Sequence, residues 1–452
     1  MIRYGADRLF ELAGAALRHP GPDEVEVTLG REQVALTRFA DSRIHQNVHR
    51  LDHHVRVRVV VDGGEAGARV GSATSGLLTP EGVRRAVDRA YQIARTVPGN
   101  PDFAGLPAGG TTYDSVRRDD PDTARCPPAR RADLVAALLR SLPAGTDGAG
   151  ALETTGNELA IVNSRGVRAY DAGTRAALSI LATAGDSTGY AEGVAVGLAG
   201  LDPVTLGSRA GEKARLGAGL RELAPGSYPV VLEPCATAVL LHRLAHAFAG
   251  RAVREGSSPL ADRLGAPICA PAVTLSDDPL SSALPAAPFD AEGIPRRRTI
   301  LVDRGVAVGL TYDSAAARMG GTESTGHALA PPNPLSGLPT HLFMAAGSET
   351  TESLVGRIDR GIYVTRFHYT NVVHPVRTTV TGTTRDGTFL IENGRIVGGI
   401  RNLRFTQSVL EALSGVEAVG REGQVATERF YGDAYAPPLC LSSFAFTSAS
   451  TH

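Results

Sequence analysis

A turn-rich segment near the middle of this 452-residue chain, Leu223-Ala224-Pro225-Gly226-Ser227, constrains the fold more than any other feature. An apolar, strand-like run, Tyr228 to Leu232, starts directly after it. One ordinary hydrophobic core does not extend over so long a chain, and domain boundaries fall in turn-rich segments of this kind. We therefore expect two domains, residues 1–224 and residues 225–452.

The N-terminal half alternates helical and strand patterns. Apolar residues of Ala6 to Leu17 recur on one helical face, and Thr79 is a good N-cap for a helix that starts at Pro80. His54 to Val61 alternates valine with polar residues, which is typical of a half-buried strand. Further helices are predicted at 129–141 and 203–216, strands at 34–39, 43–48, 159–162, 167–170 and 176–183, and loops at 97–128 and 145–150.

The C-terminal half is mostly strand-like after one strong helix, Ala236 to Ala249, which Gly250 should end. Asp303-Arg304-Gly305 and Glu392-Asn393-Gly394 are turn signals between strands. Strands are predicted at 228–232, 272–275, 298–302, 306–312, 362–367, 378–384 and 388–391. The predicted class is α+β, with an N-terminal sheet-plus-helix domain followed by a mostly β domain shaped as a curved sheet or barrel.

Charge and composition exclude several functions. The formal net charge is -1, so no electrostatic field draws in nucleic acid or an anionic membrane. Charged residues interrupt residues 1–19, and no stretch has the roughly 18 apolar residues that span a bilayer. We expect a cytoplasmic protein. The cysteines are scattered and predicted to be free thiols; they are Cys126, Cys235, Cys269 and Cys440.

His242-Arg243-Leu244-Ala245-His246 is the most chemically suggestive motif. Histidines four residues apart share one face of an α-helix and can bind one metal ion, but in zincins a glutamate after the first histidine activates the metal-bound water. Arg243 stands there instead, and a guanidinium cannot accept a proton at any useful pH. We interpret the pair as packing on a half-exposed helix, with a metal site at His242 and His246 as the alternative.

A metal site would need more groups, and the sequence offers several without a spacing that selects one. Possible third ligands are His327, His368, His374 and Cys440, and possible bases are Glu233 and Glu323. Three other groups have simpler explanations. The histidines at 45, 49, 53 and 54 should form a solvated face, the arginines at 296–298 a solvated turn rather than a carboxylate site, and Cys440 a buried structural thiol.

A possible substrate groove lies in the segment after residue 366. An aromatic and polar strand edge can receive an extended peptide by strand addition. The groove residues predicted on this basis are Phe367, His368, Tyr369 and Asn371. A core strand with one outward polar residue explains the same pattern equally well, so both interpretations stay open.

The order of motifs in the C-terminal half resembles the TldD/PmbA family, also called modulators of DNA gyrase. The blocks that carry the resemblance extend over about 200 residues and are similar to the family in both order and spacing. They are 256–258, 273–279, 289–293, 298–305, 323–327, 361–369, 384–394 and 401–406. The resemblance implies a cytoplasmic metalloprotease complex of two kinds of subunit, in which only one kind holds zinc.

In the zinc-binding kind, the resemblance implies a His-Glu pair, three further residues and a second His, with another ligand from a late cysteine. This chain lacks the acid in either register, and residues 417–422 do not match the cysteine segment. It is therefore most similar to the TldE/PmbA companion subunit. We expect no catalytic residue and no metal in this chain, zinc in a TldD-like partner, and unfolded or modified peptides as substrates.

Two alternatives remain open from the sequence. The chain could be a metal-dependent hydrolase or amidase that uses His242 and His246, or a stand-alone binding protein without a hydrolytic partner. The sequence does not select the peptide substrate.

Overall fold

The N-terminal half folds into one antiparallel sheet of six strands, in the order β3-β2-β1-β4-β5-β6. The computed structural model describes residues 3–103, 105–114, 116–331, 333, 335–428 and 431–450. The strands are β1 (Glu24–Ala40), β2 (Arg43–Val61), β3 (Arg69–Ser75), β4 (Asp147–Asn163), β5 (Arg168–Ala184) and β6 (Ser187–Ala195). The helices are α1 (Ala6–Leu17), α2 (Pro80–Thr96), α3 (Pro121–Ala124), α4 (Pro128–Arg140) and α5 (Pro203–Gly217).

The longer helices of this half cover one face of the sheet. Helices α1 and α2 pack on valines of β1 and β2, and α4 and α5 pack on β4 and β5. The predicted N-cap is confirmed, since the Thr79 hydroxyl accepts a hydrogen bond from the Gly82 N–H. The opposite face of the sheet points toward the C-terminal half, where Ile161 and Val167 pack on Phe289. One face of the sheet therefore supplies a core and the other faces the second half of the chain.

The C-terminal half contains two further sheets and short helices. Its strands are β7 (Gly226–Leu232), β8 (Leu275–Asp277), β9 (Thr299–Asp303), β10 (Val306–Ala307), β11 (Leu342–Met344), β12 (Arg360–His374), β13 (Thr379–Glu392), β14 (Arg395–Gly399), β15 (Leu403–Ser408), β16 (Val416–Val419), β17 (Gln424–Glu428), β18 (Gly432–Ala436) and β19 (Leu439–Ala449). Its helices are α6 (Pro234–Leu244), α7 (Gly250–Arg254), α8 (Ser314–Met319), α9 (Thr351–Gly356) and α10 (Val409–Ser414).

Five of these strands close into a barrel. The order β12-β7-β19-β15-β13 returns to its start because β12 also pairs with β13. Rings of Phe367, Phe405 and Phe444 fill its interior, with centroids 4.5 to 5.5 Å apart. The second sheet, β10-β9-β8-β11-β18-β17, lies beside it, and α6 packs against β12, β17 and β18. The predicted α+β class is confirmed.

Several predicted boundaries are wrong because strand pairing extends short patterns. The runs at 34–39 and at 43–48 with 54–61 belong to two long strands, and those at 378–384 and 388–391 to the single strand β13. The segment 145–150, predicted as a loop, contributes its last four residues to β4, where they pair with β5. The strand predicted at 306–312 is only two residues long, and that at 272–275 begins at Leu275.

The strong helix is also shorter than predicted. It ends at Leu244, a 3₁₀ turn covers 245–248, and Gly250 begins α7 instead of ending a helix. After the 3₁₀ turn the backbone pairs with a distant segment, since the Gly250 N–H donates to the Thr311 carbonyl at 2.9 Å and the Thr311 N–H donates to the Phe248 carbonyl at 2.8 Å. A Cβ at Gly250 would lie 2.0 Å from the ring of Tyr312, so any other residue would require that ring to move. No described helix is both long and apolar enough to cross a membrane.

Candidate functional site

A cavity of about 1210 Å³ lies between the open face of the N-terminal sheet and the C-terminal half. Strands β1, β4, β5 and β6 form one wall, through alternate residues that point away from the helices. Helix α6, the middle of β12 and the β17–β18 hairpin form the other wall. The volume exceeds that of many small-molecule pockets and is sufficient for a short extended peptide.

An ion pair joins the two walls. Arg175 on β5 donates from Nε and Nη2 to the two carboxylate oxygens of Asp433, at 2.7 and 2.8 Å. Thr427 on β17 accepts from the same guanidinium at 2.8 Å. Because Arg175 and Asp433 come from opposite halves of the chain, this two-point contact fixes the width of the cavity.

A buried acid lies on the cavity wall at Glu192 of β6. Its carboxyl group accepts hydrogen bonds from the Tyr190 hydroxyl at 2.7 Å, the Cys235 thiol at 3.3 Å and the Thr427 N–H at 2.9 Å. Burial raises the pKa of Glu192, although these donors oppose the shift. Burial, together with the neighbouring carboxylate, also raises the pKa of the Cys235 thiol well above its usual value. The thiol is therefore protonated at neutral pH and poorly suited to nucleophilic attack.

A second buried acid, Glu233, holds the first turn of α6 in place. Lys213 lies 2.6 Å from its carboxylate, and the hydroxyl group of Tyr363 donates to it at 2.8 Å. Thr365 is a further donor at 3.3 Å. These partners hold Glu233 in place at the start of the helix.

Arg243 occupies the position of the zincin acid and is itself held by an acid. Its Nη2 lies 3.3 Å from Glu428, and its guanidinium stacks 4.0 Å from the ring centroid of Tyr431. The preceding His242 is buried, and burial, with a contribution from the Arg243 charge, lowers its pKa to about 4 despite the opposing carboxylates. This imidazole is therefore uncharged at neutral pH, beside a guanidinium that is permanently charged.

His246 is not placed as an α-helical partner of His242. The helix ends at Leu244, so His246 lies in the 3₁₀ turn and the expected i, i+4 arrangement on one α-helix is wrong. Across the described part of the chain, no group of three or more His, Cys, Asp or Glu side chains is arranged to hold a metal ion. The donors on this helix do not fit a zinc site.

The other suggested ligands and bases are dispersed. His327 is fully buried with its Nε2 3.1 Å from Asp277, His374 lies exposed near the end of β12, and Cys440 is buried in β19. Glu323 is exposed. The prediction that Cys440 is a buried thiol is confirmed, and the four cysteines are free.

The four predicted groove residues all belong to the cavity lining but differ in role. Phe367 is buried in the barrel core, whereas His368 is half-buried and Tyr369 and Asn371 are exposed. Tyr369 has a φ of 48°, and the pairing of β12 with β13 is irregular between His368 and Asn371. This bulge turns the strand edge toward the cavity. Peptide binding by these residues stays a prediction.

The histidines of β2 and the arginines at 296–298, which the sequence also suggested, lie outside the cavity lining. Among the histidines of β2, His45, His49 and His54 are exposed, which supports a solvated face, and His53 accepts from Arg31 at 3.3 Å. Arg296 contacts His341 and the Phe289 carbonyl, so it is engaged within the fold and not a solvated turn residue. Arg297 and Arg298 are exposed.

Sequence reasoning missed the residues that define the cavity: Arg175, Glu192, Cys235, Glu428 and Asp433. Glu192 and Arg175 lie on strands whose alternation of apolar and polar residues is interrupted by a charged residue on one face. That interruption is the sequence signal that could have indicated them. The Cys235 partner of Glu192 and the Asp433 partner of Arg175 lie 43 and 258 positions away along the chain, and no local pattern indicates such pairing.

These features define a protein in which an N-terminal sheet and a C-terminal barrel enclose a peptide-sized cavity beside a buried helix. Three family models match the chain in order. They are described as PmbA/TldA metallopeptidase domain 1 at residues 25–94, the central domain at 127–217 and the C-terminal domain at 225–448. Together they cover most of the sequence, so the chain belongs to the TldD/PmbA metallopeptidase family.

Curated relatives and solved structures agree with this assignment. A "Metalloprotease TldD homolog" of Buchnera aphidicola is 28% identical over 44% of this chain and 42% of its own length. A "Metalloprotease" of Methanothermobacter thermautotrophicus is 29% identical over 58% of this chain and 60% of its own length. The matches thus span about two fifths and three fifths of these relatives.

Two solved structures share the fold over nearly the whole chain. TldE from Thermococcus kodakarensis superposes with a TM-score of 0.85 at 22% identity, covering 98% of this chain and 99% of that one. A putative modulator of a DNA gyrase from Thermotoga maritima gives 0.84 at 21% identity, with the same coverage. At this identity the likeness concerns the fold.

Proposed function

We propose that this chain is the TldE-like, metal-free subunit of a heterodimeric cytoplasmic metallopeptidase, paired with a TldD-like subunit that holds zinc. The observation that carries the proposal is the pairing of Arg243 with Glu428 at the helix position where a zincin has its general base. A fixed cation beside the first histidine opposes metal binding, and a guanidinium cannot activate water. The chain therefore contributes something other than the metal chemistry.

Its contribution is control of substrate access. A cavity between two rigidly joined halves admits an extended chain and excludes a folded domain on size. The bulged edge of β12 at Tyr369 and Asn371 offers backbone groups to such a chain, because β12 pairs with β7 only at 362–364. Strand addition at this edge would hold a peptide without regard to most of its side chains. Unfolded or modified peptides are the substrate class that this geometry favours.

An exposed apolar hairpin tip is the surface that we assign to the zinc-binding partner. Tyr369, Val372, Val373 and Val376 are 77%, 45%, 59% and 43% exposed at the junction of β12 and β13. Contiguous apolar exposure of this kind marks interaction sites. The tip adjoins the part of β12 that lines the cavity, so a subunit bound there would place its zinc next to the bound peptide.

The test is to purify the chain alone, the TldD-like subunit alone and the mixture, and to measure association and cleavage of an unfolded peptide. We expect cleavage that requires the zinc subunit and no cleavage by this chain alone. Val373→Asp should weaken association, because it buries a charge in the interface, while Val204→Asp on α5, a similarly exposed valine, should not. Cleavage by this chain alone, or equal association of both variants with a partner, would refute the proposal.

Metal analysis separates this function from the alternative of a metal-dependent hydrolase. The chain purified alone should carry no stoichiometric zinc, and a His242→Ala, His246→Ala double variant should have the same metal content. Zinc at one equivalent that the double variant loses would establish the hydrolase alternative. Failure to associate with any TldD-like subunit, together with tight peptide binding by the isolated chain, would instead establish the stand-alone binding protein.

A further inference from the structure

The guanidinium of Arg243 has hydrogen-bonding capacity that its own fold does not use. Its side chain is only 4% exposed, and it forms part of the cavity wall. Nη2 lies near Glu428, but neither Nε nor Nη1 has an acceptor among the described residues. Leaving a buried donor without a partner costs about 1–3 kcal/mol, and more for a charged group. Such unmet donors at a cavity wall can be satisfied by a ligand that supplies the acceptor.

Two other arginines of the same cavity differ in this respect. Arg175 uses both Nε and Nη2 on Asp433, and Arg366 uses the same two atoms on Asp386. Their side-on donors are thus occupied within the protein. Arg118, also in the lining, has a buried Nε without a hydrogen bond, but a carboxylate oxygen of Asp171 lies 3.1 Å from it, whereas neither Nε nor Nη1 of Arg243 has an acceptor among the described residues.

The site around Arg243 is built to hold the guanidinium in place. Stacking on Tyr431 at 4.0 Å fixes its plane, and Glu428 fixes one end. The Nε2 atom of the adjacent His242 is likewise buried without a partner. A rigid, planar and dehydrated guanidinium loses little entropy on binding, and its donors match the oxygens of a carboxylate better than those of a lone carbonyl.

We propose that Arg243 binds a carboxylate group of the peptide in the cavity, so that this subunit recognises chains that present a free carboxylate there. The proposal rests on the proposed function, because it states which chemical group of the peptide admitted by the companion subunit binds in the cavity. The C-terminal carboxylate and an acidic side chain share this chemistry. Replacement of the zincin acid by arginine then converts a water-activating position into an anchoring position.

Binding of short fluorescent peptides to the purified heterodimer, measured by fluorescence anisotropy, tests the proposal. The peptides have one uncharged Ala/Ser/Gly sequence and end in either a free acid or an amide. We expect the free acid to bind the wild-type protein about tenfold more tightly than the amide, which is the scale of one charge-assisted hydrogen bond. Arg243→Gln should bind both peptides with equal affinity. An amidated peptide with one internal glutamate distinguishes the two sources, since recovery of affinity assigns the site to acidic side chains.

A second variant keeps the test decisive if Arg243→Gln folds poorly. Glu428→Gln removes the competing charge and should increase the preference for the free acid, a change that a merely structural role would not produce. Two outcomes would overturn the carboxylate site while leaving the companion function intact. In the first, the wild-type protein binds the free acid and the amide with equal affinity. In the second, a folded Arg243→Gln protein loses affinity for both peptides to the same extent. Absence of binding by every peptide would instead count against the companion function.

Discussion

Arg175 and Asp433 form a two-point ion pair across the two halves of the chain, with nitrogen–oxygen distances of 2.7 and 2.8 Å. Both side chains are mostly shielded from solvent, so the pair is screened less than a surface salt bridge. Strands β5 and β18 are thereby held at a fixed separation, and the cavity between them keeps its shape.

Breaking this ion pair should weaken the contact between the two halves of the chain. We expect Asp433→Asn and Arg175→Gln each to lower the free energy of unfolding by about 1–3 kcal/mol, since each removes one charge of the two-point pair, although Glu153 remains 3.7 Å from Arg175 Nη1. Urea denaturation of the two single variants and the double variant gives the coupling energy. Strictly additive losses would show that the pair does not act as a unit.

The buried imidazole of His242 predicts a pH-dependent loss of stability. Its pKa falls from 6.5 to about 4, so the folded protein binds fewer protons than the unfolded chain between these values. This stability is complete above pH 6.5 and is lost as the pH falls toward 4, by about 3 kcal/mol for this shift.

A His242→Gln variant keeps a polar side chain that does not titrate, and it provides the comparison for this prediction. Its free energy of unfolding should be close to that of the wild type at pH 7 and should exceed it at pH 4.5. Parallel pH profiles of the two proteins, measured by chemical denaturation, would contradict the assignment of this effect to His242.

Restoring the zincin acid should not restore a zinc enzyme. Arg243→Glu would replace the cation that pairs with Glu428 by a second carboxylate, and breaking a buried ion pair in this way destabilises the fold by roughly 3–5 kcal/mol. His246 would still lie in a 3₁₀ turn. We expect a lower melting temperature and no bound zinc by metal analysis. Stoichiometric zinc in this variant would show that the acid alone was missing, and Arg243→Gln with Glu428→Gln serves as the uncharged control.

The thiols should resist modification in the folded protein. Burial raises the pKa of Cys269 to about 12 and that of Cys440 to about 11, and it raises the pKa values of Cys126 and Cys235 as well. Thiolate is the reactive form, so alkylation at pH 8 should be slow until the chain unfolds. Mass spectrometry before and after denaturation measures the protection. Rapid native modification of Cys235 would contradict the closed arrangement around Glu192.

The sequence predicted local features well where one segment contains the whole signal. Helix α1 has the predicted bounds, Thr79 caps α2, and the Asn393-Gly394 turn adopts the positive φ values that its residues favour. Strand lengths were underestimated, because pairing with a neighbour extends a strand through polar residues that break its pattern. Helix α6 was predicted to extend to Ala249 but ends at Leu244, and the residues that follow pair with Thr311, which is distant along the chain.

The sequence by itself determined the α+β class, the caps and turns, and the absence of a glutamate after His242, because each depends on residues close together along the chain. Only the tertiary structure decided what Arg243 contacts, where His246 lies and which charges line the cavity. Glu428 is 185 residues from Arg243, and Asp433 is 258 residues from Arg175. Contacts at such separations arise from closure of the barrel and from its packing on the N-terminal sheet, so no local pattern along the chain contains them.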